Sequence, residues 1–162
     1  MFVKKIIFYR DFKKYSHIFA GKKIVLVGGC FDLIHYGHLQ FLKKAKAQGD
    51  FLFIALESDE FIKKRKRRPP FHNQKQRAEI LSYLSLVDLI ILLPYFSSYK
   101  QYEELVKMVK PKIIAVTNND PQYGNKKKQI EKIGGQIKIV IELIKGFSTN
   151  KIIKKVIESY NF

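Results

Sequence analysis

The feature that most constrains the fold is a regular alternation of short apolar segments with segments of helical periodicity. Five short apolar runs lie at 23–27, 51–56, 89–92, 113–116 and 137–141. Helical spacing of apolar residues occurs between them at 38–48, 74–86, 99–109 and 126–133. Ser148 is placed to cap a last helix that ends near Tyr160. Apolar strands separated by helices are typical of a parallel sheet covered on both faces, so we predict a doubly wound α/β fold with five parallel strands.

Length and charge narrow the class of protein. A chain of 162 residues suits one domain, with residues 1–20 as a lead-in and 21–162 as the core. Lys and Arg number 31 and Asp and Glu 14, which gives a net charge of +17 and predicts anionic partners. A single cysteine, Cys30, excludes an internal disulfide. No apolar run is long enough to span a bilayer and the start resembles no signal peptide, so a cytoplasmic location without membrane attachment is expected.

The segment that follows the first predicted strand carries the strongest chemical signal. Gly28 and Gly29 permit a tight turn, and His35, Gly37 and His38 stand where the next helix begins. Free N–H groups at a helix start attract anions, and imidazole donors beside them would hold phosphate oxygens. A metal-binding histidine pair is the alternative, but such pairs on a helix more often use i, i+4 spacing. We therefore predict an anion site here and no metal site.

Read as a whole, Gly28–His38 resembles the signature of the cytidylyltransferase-like nucleotidyltransferases, in which a strand is followed by G-x-F-D-x-x-H-x-G-H and a helix. The resemblance extends from Gly21 along almost the entire chain. Further matching positions are Ser58-Asp59, Arg77, Val87-Asp88 and Gly146-Phe147-Ser148-Thr149. It implies a Rossmann-like fold and a transferase that moves a nucleoside monophosphate from a nucleoside triphosphate to a phosphorylated acceptor, with release of pyrophosphate.

The resemblance also implies roles for individual residues. The catalytic residues expected from it are His35, His38, Lys66 and Arg77. Those expected to bind the nucleotide are Gly28, Gly29, Cys30, Phe31, Asp32, Gly37, Lys63, Lys64, Asn118, Asp120, Phe147, Ser148 and Thr149. Mg²⁺ is expected to be held mainly by the nucleotide's own phosphates, and a homodimer is expected because relatives are commonly dimers.

Several of these residues also have a simpler structural interpretation. Asp32 could cap the turn in which it lies, and Ser148 with Thr149 could cap the last helix. Arg77 could be a surface helix arginine. One of Lys63 and Lys64 is expected to join Lys66 at the phosphates, while the other basic residues of 63–68 are expected to be solvated or to form a flap.

Within the family, the closest resemblance is to the adenylyltransferase domain of ADP-heptose synthesis enzymes. It rests on Gly29-Cys30-Phe31-Asp32, on Gly21–Val25, and on the tail that begins at Ser148. This favours ATP and a heptose 1-phosphate-type sugar phosphate as substrates. Alternatives are a glycerol-3-phosphate cytidylyltransferase using CTP, against which Leu143 counts, and an FAD synthetase.

A function of another class also fits the charge. A non-catalytic protein that binds nucleic acid or another polyanion would use the same fold as a scaffold. No recognition helix or RNA-binding signature is present, which disfavours nucleic acid as the partner. A relative that has lost activity is a further alternative, because Asn118 and Asn119 stand where the family often has glycine.

Overall fold

The apolar runs pair with one another as a parallel sheet. The computed structural model describes residues 5–142 and 147–160. Its strands are β1 (Ile6–Phe8), β2 (Ile24–Gly29), β3 (Phe51–Leu56), β4 (Leu89–Leu92), β5 (Ile113–Thr117) and β6 (Gln136–Ile141). All neighbouring pairs are parallel, in the order β1-β4-β3-β2-β5-β6. The predicted doubly wound, Rossmann-like parallel sheet is confirmed, but it has six strands where the sequence predicted five.

The additional strand comes from the lead-in. β1 is only three residues long and follows two lysines, so its pattern is too short to stand out in the sequence. It pairs with β4, where Ile7 lies opposite Ile91, and so forms the edge of the sheet. The N–H of Ile90 donates to the carbonyl of Lys5 at 2.7 Å. Only the presence of β4 as a neighbour makes this segment a strand.

Seven helices accompany the strands in the described residues. They are α1 (Phe12–Tyr15), α2 (Tyr36–Lys46), α3 (Asp59–Lys66), α4 (Gln74–Ser82), α5 (Tyr99–Val109), α6 (Tyr123–Glu131) and α7 (Thr149–Tyr160). Two 3₁₀ turns, Tyr9–Asp11 and Ser16–Phe19, flank α1. α3 carries most of the basic run that the sequence analysis assigned to a loop or flap. Ser58 caps it by accepting from the Phe61 N–H, and its one buried side chain is Ile62.

The core lies in two layers, one on each face of the sheet. On one face the strands pack against Phe12, Phe19, and the Leu105, Val106 and Val109 face of α5. On the other face they pack against Leu42 and Ala45 of α2 and Ala78 and Leu81 of α4. Burying one such Leu or Phe side chain contributes about 1.5–3 kcal/mol. Because both faces are covered, β3 and β4 are apolar at almost every position.

The strand order places a crevice at the carboxyl ends of β2 and β5. The chain runs from β2 outward through β3 to β4, and then crosses over to β5 on the other side of β2. Ligands of open α/β sheets bind at such a point of reversal. Gly28 and Gly29 end β2 here, and Thr117 ends β5.

The helices of the described residues are all too short or too polar to cross a membrane.

Candidate active site

A cavity of about 610 Å³ opens beyond the carboxyl ends of β2, β5 and β6. Its walls include residues from every loop that the sequence analysis singled out. They are Gly28, Gly29, Phe31, His35, Gly37, His38, Phe41, Arg65, Lys66, Arg68, Ala115, Thr117, Asp120, Ile141, Glu142, Phe147, Ser148, Thr149 and Asn150. We call this the first cavity.

The loop that enters the first cavity from β2 has an unusual backbone. Phe31 and Leu33 both have left-handed φ angles, 47° and 61°, although neither is glycine. Such conformations persist only where the surroundings enforce them. Here the enforcing residue lies between them, because the buried Asp32 is fixed by three hydrogen-bond donors.

Asp32 holds the segment that follows α3. Its carboxylate accepts from Arg68 Nη1 at 2.7 Å and from the N–H groups of Phe71 and His72 at 3.1 and 3.2 Å. Burial acts to raise the pKa of Asp32, but these hydrogen bonds hold it below its usual range. Asp32 is only 2 % exposed, and it does not line the cavity. It therefore holds the turn, which is the structural alternative given in the sequence analysis.

His35 and His38 form a stacked pair at the start of α2. Their ring centroids are 3.8 Å apart, and His35 Nδ1 accepts from the His38 N–H at 3.4 Å as the helix N-cap. An accepting Nδ1 leaves the proton of neutral His35 on Nε2. Burial, the neighbouring His35 and Lys66 lower the pKa of His38 to about 4, so that ring is neutral at pH 7.

Glycines let this pair pack tightly. A Cβ on Gly37 would lie 3.0 Å from Cε1 of His35 and 3.2 Å from Cβ of Phe147. A Cβ on Gly29 would lie 2.9 Å from the Phe31 ring, whose centroid is 5.3 Å from that of His38. Glycine at position 37 thus has a steric reason, since a side chain there would crowd the His35 ring and Phe147.

Arg77 does not line the first cavity, where a phosphate-binding residue is expected. It is the largest fully buried side chain of the described chain, with 0 % exposure. Its guanidinium donates to the carbonyls of Cys30, Glu57 and His72 and, at 2.7 Å, to Oδ1 of Asp59. It therefore ties together the loops after β2 and β3, and contact with a phosphate would require breaking these bonds. Nor is it a surface helix arginine.

The basic run divides into residues that face the cavity and residues that do not. Lys66 lines the first cavity, together with Arg65 and Arg68. Lys63 and Lys64 are exposed and outside its lining; Lys64 pairs with Glu60 and lies 4.4 Å from the Tyr95 ring centroid. The two residues of α3 that line the cavity, Arg65 and Lys66, are the last two residues of the helix.

Two buried polar atoms of the first cavity are unpartnered within the described part of the chain. Among the described residues, Arg68 Nη2 and His38 Nδ1 have no hydrogen-bond partner. A buried polar atom left unpaired costs about 1–3 kcal/mol, so such atoms usually await a ligand or water. Both belong to side chains on the wall where the resemblance expects phosphates.

The late loop and the loop after β5 complete the wall. Ser148 Oγ accepts from the Lys151 N–H as the cap of α7, and Thr149 Oγ1 donates to the carbonyl of Asp32 at 3.0 Å. Asp120 lines the cavity and accepts from Lys126 at 2.6 Å, whereas Asn118 is exposed and outside the lining. Leu143 and Gly146, which the sequence analysis also used, lie outside the described residues.

Metal-binding geometry is not found in the described ranges. Within residues 5–142 and 147–160, no three His, Cys, Asp or Glu side chains are grouped closely enough to hold an ion. Asp120 and Glu142 are the carboxylates among the lining residues, and Lys126 pairs with Asp120.

Sequence reasoning missed Arg65 and Arg68 of the first cavity and Glu57 of a neighbouring cavity. Arg65 and Arg68 were grouped with the solvated basics, and only their place in the cavity wall and the contact of Arg68 with the buried Asp32 identify them. Glu57, which is buried directly after β3, gave no motif signal. A carboxylate at the carboxyl end of a buried strand was the available clue. Cys30 lines a neighbouring cavity with Glu57 rather than the first one.

Comparisons with known proteins agree with this architecture. The sequence model of the cytidylyltransferase-like family matches residues 26–161. The bifunctional protein HldE of Aliarcobacter butzleri is 36% identical over 140 residues, which is 86% of this chain and 28% of HldE. The FAD synthase of Pyrococcus abyssi is 36% identical over 141 residues, which is 84% of this chain and 93% of that enzyme. The chain thus spans little more than a quarter of HldE but nearly all of the FAD synthase.

Solved structures give the same result for the fold. A lipopolysaccharide core biosynthesis protein from Thermoplasma volcanium superposes with a TM-score of 0.62 at 27% identity, covering 76% of this chain and 98% of that one. Pantoate-β-alanine ligase from Francisella tularensis, crystallised with an ATP analogue and β-alanine, gives a TM-score of 0.69 at 16% identity, covering 94% of this chain and 73% of that one. At that identity the second match shows the fold alone.

Proposed function

The chain belongs to the cytidylyltransferase-like family, and we propose that it is a nucleotidyltransferase that transfers AMP from ATP to a phosphorylated small molecule, releasing pyrophosphate. The observation that carries the proposal is the composition of the first cavity. It combines the helix start at His35 and His38 with Arg65, Lys66 and Arg68, and two of its buried nitrogen atoms lack partners among the described residues.

The proposed reaction needs no general base. A phosphate oxygen of the acceptor attacks the α-phosphorus of ATP, a new P–O bond forms, and the bond between the α-phosphorus and the bridging oxygen to the β-phosphate breaks. The attacking phosphate is already ionised at neutral pH, and pyrophosphate leaves with the electron pair. Catalysis then consists of positioning and of stabilising charge on the phosphorus oxygens.

The residues take distinct roles in this proposal. His38 and Nε2–H of His35 donate to α-phosphate oxygens, and Lys66 neutralises the triphosphate. Ser148 and the N–H groups that start α7 hold the distal phosphates. Asp32 and Arg77 act as positioning residues, because their partners are the loops of the site. Lys63, Lys64 and Asn118 are left out of direct contact with the nucleotide.

Mg²⁺ enters the proposal with the nucleotide. The described residues offer no cluster of acidic ligands, but they do offer cationic and neutral donors for phosphate oxygens that a bound Mg²⁺ leaves free. Mg²⁺ prefers phosphate oxygens and water as ligands, so it would be carried mainly by ATP and would neutralise charge on the leaving pyrophosphate.

Separate observations support two classes of acceptor, and a third remains as an alternative. The resemblance to ADP-heptose synthesis enzymes supports a heptose 1-phosphate-type sugar phosphate. The match to nearly the full length of an FAD synthase supports FMN as the acceptor, which would make FAD the product. A glycerol-3-phosphate cytidylyltransferase remains the third alternative, and the residue that counts against it, Leu143, lies outside the described residues.

The test is pyrophosphate release by the purified chain with Mg²⁺, measured for each of four nucleoside triphosphates against sugar 1-phosphates, glycerol 3-phosphate and FMN. We expect turnover with ATP and one class of acceptor. Binding of nucleic acid that weakens steeply with salt, together with no turnover for any pair, would favour the polyanion-binding alternative.

The expected homodimer is also part of the proposal. α7 has no buried residue among those described, and its apolar face leaves Val156, Ile157 and Tyr160 exposed. A second copy would cover such a face. Sedimentation analysis at micromolar concentration tests this, and a monomer would contradict it.

A further inference from the structure

A second cavity, of about 540 Å³, adjoins the first on the other side of the end of β2. The two cavities share Gly28, Gly29 and Arg65 in their walls. About half of the lining of the second cavity is apolar, from residues that include Leu26, Ala55, Leu93, Leu105, Val106 and Ile114. Of the Gly28–His38 signature, only Gly28, Gly29 and Cys30 line this cavity.

The second cavity contains a buried carboxylate that is only half satisfied. Glu57 is 7 % exposed and lines the cavity. Its Oε1 accepts from the hydroxyl of Tyr102 at 2.9 Å, whereas Oε2 has no hydrogen-bond partner in the described part of the chain. A buried carboxylate oxygen without a donor is costly, and a ligand that supplies an N–H or O–H removes that cost.

We propose that the second cavity holds the organic part of the acceptor, and that Glu57 and Tyr102 select an acceptor whose ring carries an N–H or O–H donor. This inference rests on the proposed function and specifies its substrate class. The acceptor's phosphate would lie where the cavities meet, at Gly28, Gly29 and Arg65, and so face the α-phosphate held beside His35 and His38. The remaining body of the acceptor would extend between β2, β3 and α5.

The lining favours a flat, largely apolar ring over a polyhydroxylated sugar. A heptose exposes a hydroxyl on nearly every carbon, and each would need a polar partner in place of water. The aliphatic walls from Leu26, Leu105 and Val106 provide none. The polar side chains of the lining, such as Ser97, Asn125 and Gln129, stand at other positions. A fused heteroaromatic ring buries two apolar faces and presents its N–H donors at one edge, which suits a cavity that combines aliphatic walls with the Glu57 carboxylate. FMN has this chemistry.

The charge state of Glu57 depends on groups from four helices. Burial raises its pKa to about 7, while the Tyr102 hydroxyl on α5, Lys126 on α6, Arg77 on α4 and Arg65 on α3 oppose that rise. A neutral carboxyl can no longer accept on both oxygens. Acceptor binding should therefore weaken as the pH falls below about 7, whereas ATP binding should not follow Glu57.

The experiment uses FMN as the probe and does not depend on turnover. Glu57→Gln replaces one acceptor oxygen by a donor and keeps the shape of the side chain. We expect the Kd for FMN, measured by flavin fluorescence, to rise about ten- to a hundredfold, as for loss of a hydrogen bond to a charged group. The matched control is Glu60→Gln, an exposed glutamate on α3 that lines neither cavity, and it should leave the Kd unchanged. ATP binding by calorimetry should be the same in all three proteins.

A second variant, Tyr102→Phe, keeps the inference testable if Glu57→Gln does not fold. Tyr102→Phe leaves Glu57 in place and removes its donor, so it should shift the pH at which FMN binding weakens upward without abolishing binding. An unchanged pH profile in this variant would count against the pair.

The outcomes separate this inference from the proposed function. FMN affinity that is equal in wild type and Glu57→Gln, or no FMN binding at all, overturns the inference even if pyrophosphate is released with another acceptor. A sugar 1-phosphate whose KM rises in Glu57→Gln while FMN does not bind overturns the ring class. If no pair of substrates releases pyrophosphate but FMN binding is still weakened by Glu57→Gln, the proposed reaction is overturned and the proposed binding site stands.

Discussion

Arg68 donates from Nη1 to Oδ2 of Asp32 at 2.7 Å and so joins the loop after β2 to the segment after α3. Asp32 is almost fully buried and Arg68 partly so. Breaking such a pair from one side leaves a buried carboxylate with fewer donors. The two backbone donors from Phe71 and His72 would remain.

The first prediction concerns this pair. Arg68→Gln should lower the free energy of unfolding by about 1–3 kcal/mol, because a hydrogen bond to a charged group is lost. It should also raise the KM for the nucleotide, since Arg68 lines the first cavity. Urea denaturation and steady-state kinetics measure the two effects. Arg67→Gln, at the exposed end of α3, is the control and should change neither.

The second prediction concerns His38. If His38 donates to the α-phosphate in the transition state, His38→Ala should lower kcat about 10²–10³-fold and leave nucleotide affinity nearly intact. Pyrophosphate release and calorimetric binding provide the two readouts. His17→Ala is the control, because His17 is exposed in the lead-in, whereas the backbone of His72 bonds to Asp32. Wild-type turnover by His38→Ala would remove the catalytic role.

The third prediction separates the residues of the basic run. Lys66→Ala should lower kcat/KM at least about tenfold, or roughly 1.4 kcal/mol, because Lys66 lines the first cavity. Lys63→Ala removes the same charge from an exposed position outside both cavities and should change kcat/KM little. Equal losses in the two variants would indicate diffuse electrostatic attraction rather than a positioned contact.

The fourth prediction distinguishes positioning by Arg77 from phosphate binding. Arg77→Lys cannot satisfy three carbonyls and Asp59 together, so we expect a loss of about 3 kcal/mol of stability. Asp59→Asn keeps the three carbonyl bonds and should cost less. A raised KM for the nucleotide in Arg77→Lys with unchanged stability would instead show direct phosphate contact.

The fifth prediction is a pH dependence of stability. Folding raises the pKa of Glu57 from 4.5 to about 7, so its contribution is present below pH 4.5 and is lost as the pH rises through 7. Relative to Glu57→Gln, the wild type should lose roughly 3 kcal/mol of unfolding free energy between pH 4.5 and 8. Urea titrations of both proteins at several pH values test this, and parallel curves would contradict it.

His38 acts with the opposite sign in the same interval. Its pKa falls from 6.5 to about 4 on folding, so its contribution is present above pH 6.5 and is lost as the pH falls through 4. The two trends offset each other in the wild type. The difference between wild type and Glu57→Gln isolates Glu57, because the term from His38 is common to both proteins.

The amino-acid sequence alone was enough to predict a parallel sheet, most of the helices and membership of the family. Strands buried on both faces must be apolar throughout, and amphipathic helices must repeat their apolar residues at helical spacing. Both patterns can therefore be recognised within short stretches of sequence. The H-x-G-H spacing is also local, since it follows from the start of one helix and the short distance from Gly37 to the His35 ring. These features need no knowledge of distant residues.

The tertiary structure alone decided β1, the roles within the basic run, and the positions of Arg77 and Glu57. β1 exists because β4 offers it an edge, and Arg77 is buried because carbonyls from three separate loops converge on it. Arg65 and Lys66, at the end of α3, line the first cavity, while Lys63 and Lys64 do not. Each of these outcomes depends on groups distant in sequence, whose convergence no local pattern encodes.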